Sequence, residues 1–274
     1  RQISDEMRLF KDKTEMDLMK KAADISAAAH CRAMACTRPG RMEFEIGAEI
    51  SYEFARQGSP SVAYNSIVAS GKNACVLHYV TNQSRLEPDD LLLIDAGCEY
   101  GGYAADITRT FPVDGQFKGA GKALYEIVLQ AQLKAIEAVR PGQTFNDPHE
   151  AAVQVLTQGL VDLGLLKGHV EDLIETGEYQ RFYMHRTSHW LGLDVHDVGE
   201  YKEENEWRTL LPDMVLTVEP GLYIRPAKDV PETFWNIGIR IEDDVRVTRT
   251  GHEVLTDKVP KSVGGIETLM ANHD

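Results

Sequence analysis

No stretch of this sequence is apolar for the roughly 18 residues that a bilayer-spanning helix needs. Its opening, RQISDEMRLFKDKTEMDLMKKA, lacks the basic, apolar and small-residue zones of a secretory signal. Cysteine is scarce as well: Cys31, Cys36, Cys75 and Cys98 are all there is, without C-x-x-C spacing, which excludes a disulfide framework. Together these absences lead us to expect a cytoplasmic protein in a reducing compartment, with the cysteines acting as small buried hydrophobes. Cations are outnumbered, 29 Lys and Arg against 43 Asp and Glu, for a formal charge of -14. That balance repels polyanions, so we expect no nucleic-acid partner and no membrane partner. A small or cationic substrate, or bound metal cations, fits it better. What is present, 43% apolar and 26% charged residues in a chain of 274, is enough for a sizeable globular core. The chain begins at Arg1 rather than at methionine, which hints at a longer parent protein.

The strand-like segment PDDLLLIDAG (88–97) places Asp95 at the end of an apolar run, where an unpartnered carboxylate would be costly. The segment has a twin, PDMVLTVEPG (212–221), in which Glu219 takes the place of Asp95 and Gly221 that of Gly97. A second ordered pair lies upstream of these: AMACTRPG (33–40) and AIEAVRPG (135–142) each close an Ala-rich helical segment with Pro and Gly. Each half therefore reads helix, RPG, helix, strands. We expect one α/β domain (of the α+β kind) built from two related halves, about 14–115 and 119–250, whose strands meet in a shared sheet.

In LLLIDAGCEYGGYAADITRTF the pair Gly101-Gly102 suits a two-residue hairpin turn, which requires positive φ. With that turn Asp95 faces Thr108 and Asp106 faces Gly97, so Asp95 and Asp106 become diagonal neighbours on one face. In the second half Glu219 ends MVLTVE, and Glu242 lies in IGIRIEDDVRVT, an alternating stretch that reads as one strand with Asp243 and Asp244 as turn or solvated residues. Four acids aimed at one place repel each other unless one or two divalent cations neutralise them. Metal is thus the expected partner of Asp95.

The segment FYMHRTSHWLGLDVHDVG holds His185, His189 and His196, and His78 lies in VLHYVTN. One imidazole among carboxylates favours manganese or cobalt, with zinc also able to bind. The other histidines could orient a substrate or carry a proton. Phe182, Tyr183 and Trp190 are either pocket walls or plain core.

The set IDAG, ADITRTF, MHRTSHWLGLDVHDVG, TVEPGLYI and GIRIEDD closely resembles the catalytic domain of the aminopeptidase P (Xaa-Pro aminopeptidase) family of pita-bread metallopeptidases, over about residues 7–270. The resemblance implies two pseudo-symmetric αβ halves around a curved, largely antiparallel sheet. It also implies five metal ligands, Asp95, Asp106, His189, Glu219 and Glu242, around two divalent ions, usually manganese. Asp106 and Glu242 would bridge the ions, Asp95 would serve one of them, and His189 with Glu219 would hold the other. The substrate would be a peptide with proline at its second position, cleaved before that proline by a metal-activated water. Glu219 would move the proton, His78, His185 and His196 would assist, Arg240 would stand beside the ligands, and Tyr223 would line the site. Arg186 stands where family sequences often have glycine, which bears on specificity. The family's separate N-terminal domain is not part of this chain, and homo-oligomers are expected of the full-length protein. Prolidase, methionine aminopeptidase and a non-catalytic pita-bread binding module share enough of the pattern to stand as rivals, whereas creatinase-like chemistry needs no metal and the intact ligand set argues against it.

Overall fold

In a computed structural model that describes residues 2–272, the two halves of the sequence take parallel courses. The first begins with α1 (Gln2–Leu9), α2 (Lys13–Cys36) and α3 (Glu43–Arg56). α2 starts at a capping box in which Asp12 accepts from the Glu15 amide and the Glu15 carboxylate accepts from the Asp12 amide. Its buried face is rich in alanine (Ala22, Ala23, Ala27, Ala29 and Ala33), whose small side chains let the helix lie close on its neighbours. Six strands follow: β1 (Ser61–Val62), β2 (Ile67–Ser70), β3 (Leu91–Asp95), β4 (Cys98–Tyr100), β5 (Tyr103–Ala104) and β6 (Thr108–Pro112).

The second half repeats the pattern with α4 (Gly119–Ala138), α5 (Asp147–Asp162) and α6 (Val170–Glu175), then β7 (Lys202–Glu203), β8 (Glu206–Trp207), β9 (Val215–Val218), β10 (Gly221–Ile224), β11 (Ile237–Arg240), β12 (Asp243–Val247), β13 (His252–Val254) and α7 (Val263–Ala271). α2 packs on α3 as α4 packs on α5. The central sheets run β2-β3-β6 in the first half and β13-β12-β9 in the second, and every ladder among the described residues is antiparallel. An isolated bridge between Thr108 and Glu242 joins the two halves. One apolar core, from Leu9 and Ala22 through Phe111 to Leu216 and Val245, runs through both.

The hairpin has the expected register. Gly101 and Gly102 adopt φ of 61° and 87°, and Asp95 pairs with Thr108. Gly97 is required by proximity, since a Cβ there would lie 1.7 Å from the Ala105 carbonyl oxygen. That close crossing brings Asp106 beside the end of β3.

Three expectations need correction. IGIRIEDDVRVT is not one strand: it breaks after Arg240, so that β11 pairs with β10 while β12 pairs with β9 and β13. Nor are Asp243 and Asp244 solvated. Both are buried; Asp243 is paired with Arg109 and Lys261, and Asp244 accepts from the Asp106 amide. Of the cysteines, Cys75 and Cys98 are buried, but Cys31 and Cys36 are only partly so. Among the described residues no helix is long and apolar enough to cross a membrane.

Candidate metal centre

The break after Arg240 and the ends of β3 and β9 all open onto one cavity of about 770 Å³, and the acids stand where regular pairing stops. Asp95 closes β3, Asp106 precedes β6, Glu219 follows β9, and Glu242 occupies the gap between β11 and β12. A strand end frees the side chain from the pleat while the ladder behind it fixes the backbone. His78 lies between β2 and β3, and His185, His189 and His196 lie on irregular backbone between α6 and β7, tied to β9 and Glu219 by bonds from the Thr217 amide to the His189 carbonyl (3.0 Å) and from the Glu219 amide to the Thr187 carbonyl (2.8 Å).

Nine of the ten residues nominated from sequence line this cavity: His78, Asp95, Asp106, His185, His189, His196, Glu219, Arg240 and Glu242. The tenth, Tyr223, is fully buried behind it, where its hydroxyl meets His185 Nε2 at 2.7 Å and accepts from Arg240 Nη1 at 3.0 Å. Asp106, His189 and Glu242 come closest together, each offering a ligand atom within 4.8 Å of the others. Glu219 Oε1 is 3.6 Å from His189 Nε2, and Asp106 Oδ2 is 3.4 Å from the same nitrogen. Asp95 stands apart from the triad. Its protein partners are Arg240, whose Nη2 donates to Oδ2 at 2.6 Å, and the Tyr64 hydroxyl at 2.6 Å.

Tyr64 and Thr108 went unnominated. Tyr64 also meets Asp106 Oδ1, at 2.5 Å. It has a single hydroxyl proton for two carboxylates, so one of the contacts needs a proton on an acid. Burial and the neighbouring Asp95 raise the pKa of Asp106, while His189 opposes that rise. Thr108 donates to Glu242 Oε2 at 2.6 Å and accepts from Arg240 Nε at 3.2 Å. Thr108 was placed opposite Asp95 by the hairpin register but not read as a site residue, and Tyr64 belongs to no repeat or recognisable spacing that could have pointed to it. Phe182, Tyr183 and Trp190 prove to be core, and the aromatic walls are instead Tyr64, Phe145, Tyr201 and Trp207.

The electrostatics are those of crowded acids. Burial raises Glu219 to about 8 and Glu242 well above the usual carboxylate range, with Asp106 and Asp95 adding repulsion in both cases. Burial opposes the charged form of His189, yet its hydrogen bond to Asp106 and the nearby charges of Glu219 and Asp106 carry it up to about 9. Burial and Arg240 push His185 down to about 3, so it is neutral and available as a hydrogen-bonding group. Oxygen donors with one imidazole, held together against their own repulsion, form a donor set suited to divalent cations that accept mixed O/N ligation. The residues therefore fit a metal centre.

The chain matches metallopeptidase family M24 over residues 17–249. It is 51% identical over 270 residues to the Xaa-Pro aminopeptidase of Haemophilus influenzae, covering 98% of this chain and 63% of that protein. Against the Xaa-Pro aminopeptidase of Escherichia coli it is 50% identical, covering 98% of this chain and 61% of that protein. Its fold matches aminopeptidase PepP of Pseudomonas aeruginosa with a TM-score of 0.96 and 54% identity, over 97% of this chain and 61% of that one. It also matches zinc-substituted E. coli aminopeptidase P in complex with product, with a TM-score of 0.97 and 49% identity, over 100% of this chain and 62% of that one. The chain thus spans somewhat over three-fifths of the length of these curated relatives.

Proposed function

We propose, from the premise that this chain belongs to metallopeptidase family M24, that it is a metal-dependent aminopeptidase cleaving the bond between an N-terminal residue and a following proline. The chain has the pita-bread fold of that family. The observation that carries the proposal is the convergence of Asp106, His189 and Glu242 on one cavity that Asp95 and Glu219 also line. We take the described residues to form a single catalytic domain, an inference supported by the core that runs through both halves. A homo-oligomeric whole protein and a cytoplasmic location belong to the same proposal, the latter supported by four free cysteines.

Asp95, Asp106, His189, Glu219 and Glu242 would hold two divalent ions, manganese being the best match to a donor set of four carboxylates and one imidazole. When bound, such ions supply a lowered pKa for a water and polarisation of the scissile carbonyl. Glu219 would take a proton from the attacking water and return it to the departing proline nitrogen, once a bound cation has displaced the proton that burial favours on its carboxyl in the empty site. His78 and His196, exposed at the cavity wall, donate to the carbonyl oxygen as it gains charge. His185 is held in place by Tyr223 and by the Arg186 carbonyl at 2.8 Å. Arg240 fixes Asp95 and Tyr223 at once, which keeps the wall rigid as the substrate changes shape.

The test is an assay with manganese and a chelator control on three peptides: an Xaa-Pro tripeptide, an Xaa-Pro dipeptide and a methionyl peptide without proline. Cleavage of the tripeptide, abolished by chelator and by Glu219→Gln, is the expected result. Full turnover in Glu219→Gln with metal still bound would remove Glu219 from the chemistry. Cleavage of the dipeptide alone or of the methionyl peptide alone would replace the proposed specificity.

A further inference from the structure

Arg186 follows His185 in sequence and lines the same cavity. Its guanidinium lies over the Trp207 ring, 4.8 Å from the centroid, and one Nη donates to Asn146 Oδ1. Asn146 is itself fixed, because its amide donates to Glu150 Oε1 at 2.6 Å. Stacking and a hydrogen bond thus set the direction of the side chain before anything binds, which lowers the ordering cost of using it.

What Arg186 lacks is an acid. Arg109, Arg208 and Arg240 each meet a carboxylate at 2.7 Å or less. Arg186 makes no such ion pair among the described residues, although the chain carries a net charge of -14. A second cation, Lys202 Nζ, lies 4.3 Å from the centroid of the same Trp207 ring. A guanidinium has five N–H donors in a fork that matches a carboxylate, and here most of the fork is unspent. The cavity therefore carries both signs, four acids and a pre-oriented cation. A short peptide also carries both, an ammonium at one end and a carboxylate at the other.

We propose that Arg186 binds a carboxylate of the peptide on the C-terminal side of the scissile bond. This rests on the Xaa-Pro reading for its polarity, since that reading puts the amino terminus at the acids. The carboxylate has two possible sources, the free C-terminus of a short peptide or an acidic side chain in a longer one. A purely structural Arg186, acting as a strut between Asn146 and Trp207, would not distinguish acids from amides.

The experiment measures binding rather than turnover. Calorimetry on the chain supplied with manganese compares Pro-Leu with Pro-Leu-amide for the C-terminal source, and Pro-Glu-amide with Pro-Gln-amide for the side-chain source. The expected result is tighter binding of the acid in at least one pair, on the order of tenfold for one charge-assisted contact at a partly exposed site. In Arg186→Gln, which keeps a donor for Asn146 but loses the charge, that ratio falls towards one. Ratios near one in both pairs for the unaltered chain, or a ratio that survives Arg186→Gln, overturn the proposal. A chain that prefers the acids but cleaves no Xaa-Pro peptide would keep this site and lose the function proposed above.

Discussion

Thr108 and Glu242 meet twice: the Glu242 amide donates to the Thr108 carbonyl at 3.0 Å, and Thr108 Oγ1 donates to Glu242 Oε2 at 2.6 Å. The backbone contact joins the two halves, and the side-chain contact orients an acid at their seam. The same hydroxyl also accepts from Arg240, so it serves two side chains from a fully buried position. Thr108→Val keeps the shape and removes the oxygen. We expect it to destabilise the chain by about 1–3 kcal/mol, the cost of orphaning buried partners, with Thr108→Ser close to the unaltered protein. Urea midpoints of the three proteins check this, and a valine variant as stable as the parent would contradict it.

Glu43 is a second concentrated case. Fully buried at the start of α3, it accepts from the Ser70 amide (2.8 Å), Ser70 Oγ (2.8 Å), Asn73 Nδ2 (2.9 Å), Tyr79 hydroxyl (2.8 Å) and Ser84 amide (2.8 Å). These five donors come from the segment that carries His78 to the cavity wall. Glu43→Gln turns an amide group against some of them, at a cost of about 2–4 kcal/mol. The loss should appear as faster amide hydrogen exchange across residues 70–84, with α4 and α5 little changed. Uniform exchange across the whole chain would mean that Glu43 does not hold this segment in particular.

How far the sequence disclosed these relations depended on their range. The Gly101-Gly102 turn and the pairing of Asp95 with Thr108 were legible because a two-residue turn fixes the register of everything beyond it. The twin segments were legible because each carries a strand of its half's central sheet, β3 between β2 and β6, and β9 between β12 and the bridge from Leu216 to Trp190. The break before Glu242 was not, since alternation runs through Arg240, Ile241 and Glu242 and resumes in the same phase at Val245, with only Asp243 out of step. Asp243 was misread for a different reason. Its burial depends on Arg109 and Lys261, distant in sequence, and no local pattern announces that a carboxylate will find two cations. Tyr64 lies on a short irregular segment with no periodicity to point its hydroxyl at two acids.

His30 gives a pH dependence with a defined sign. It is fully buried, with Nε2 donating to the Ala96 carbonyl at 2.9 Å and Nδ1 without a partner among the described residues. Burial, helped by Arg109, lowers its pKa from 6.5 to about 4. Below pH 6.5 the unfolded chain takes up a proton that the folded chain refuses, so stability is present above 6.5 and lost as the pH falls towards 4. The His30 share is about 3 kcal/mol at full loss, at 1.4 kcal/mol per pH unit. His30→Gln keeps a donor for Ala96 and cannot titrate. Between pH 7 and 4 it should therefore lose about 3 kcal/mol less than the parent, measured by urea unfolding. Parallel stability curves for the two proteins would rule this out.

Cation binding should displace protons. At pH 7 the structure holds protons where ligands are needed: Glu219 is pushed up to about 8, His189 up to about 9, and Glu242 well above the usual carboxylate range. Burial and repulsion between carboxylates raise the two acids, whereas attraction to Asp106 and Glu219 raises His189, and a divalent cation would take the place of these protons among the carboxylates. A ligand atom must give up its proton to bind a metal, so binding of manganese near pH 7 releases at least one proton per chain, and affinity rises with pH from about 6 to 8. Calorimetric titrations in buffers of different ionisation enthalpy count the protons directly. Glu219→Gln, which carries no titrating carboxyl at that position, should release fewer. Binding enthalpies that do not change with buffer would mean that these groups are already deprotonated before the metal arrives, and the crowding of acids around Glu242 would then not be what tunes this centre.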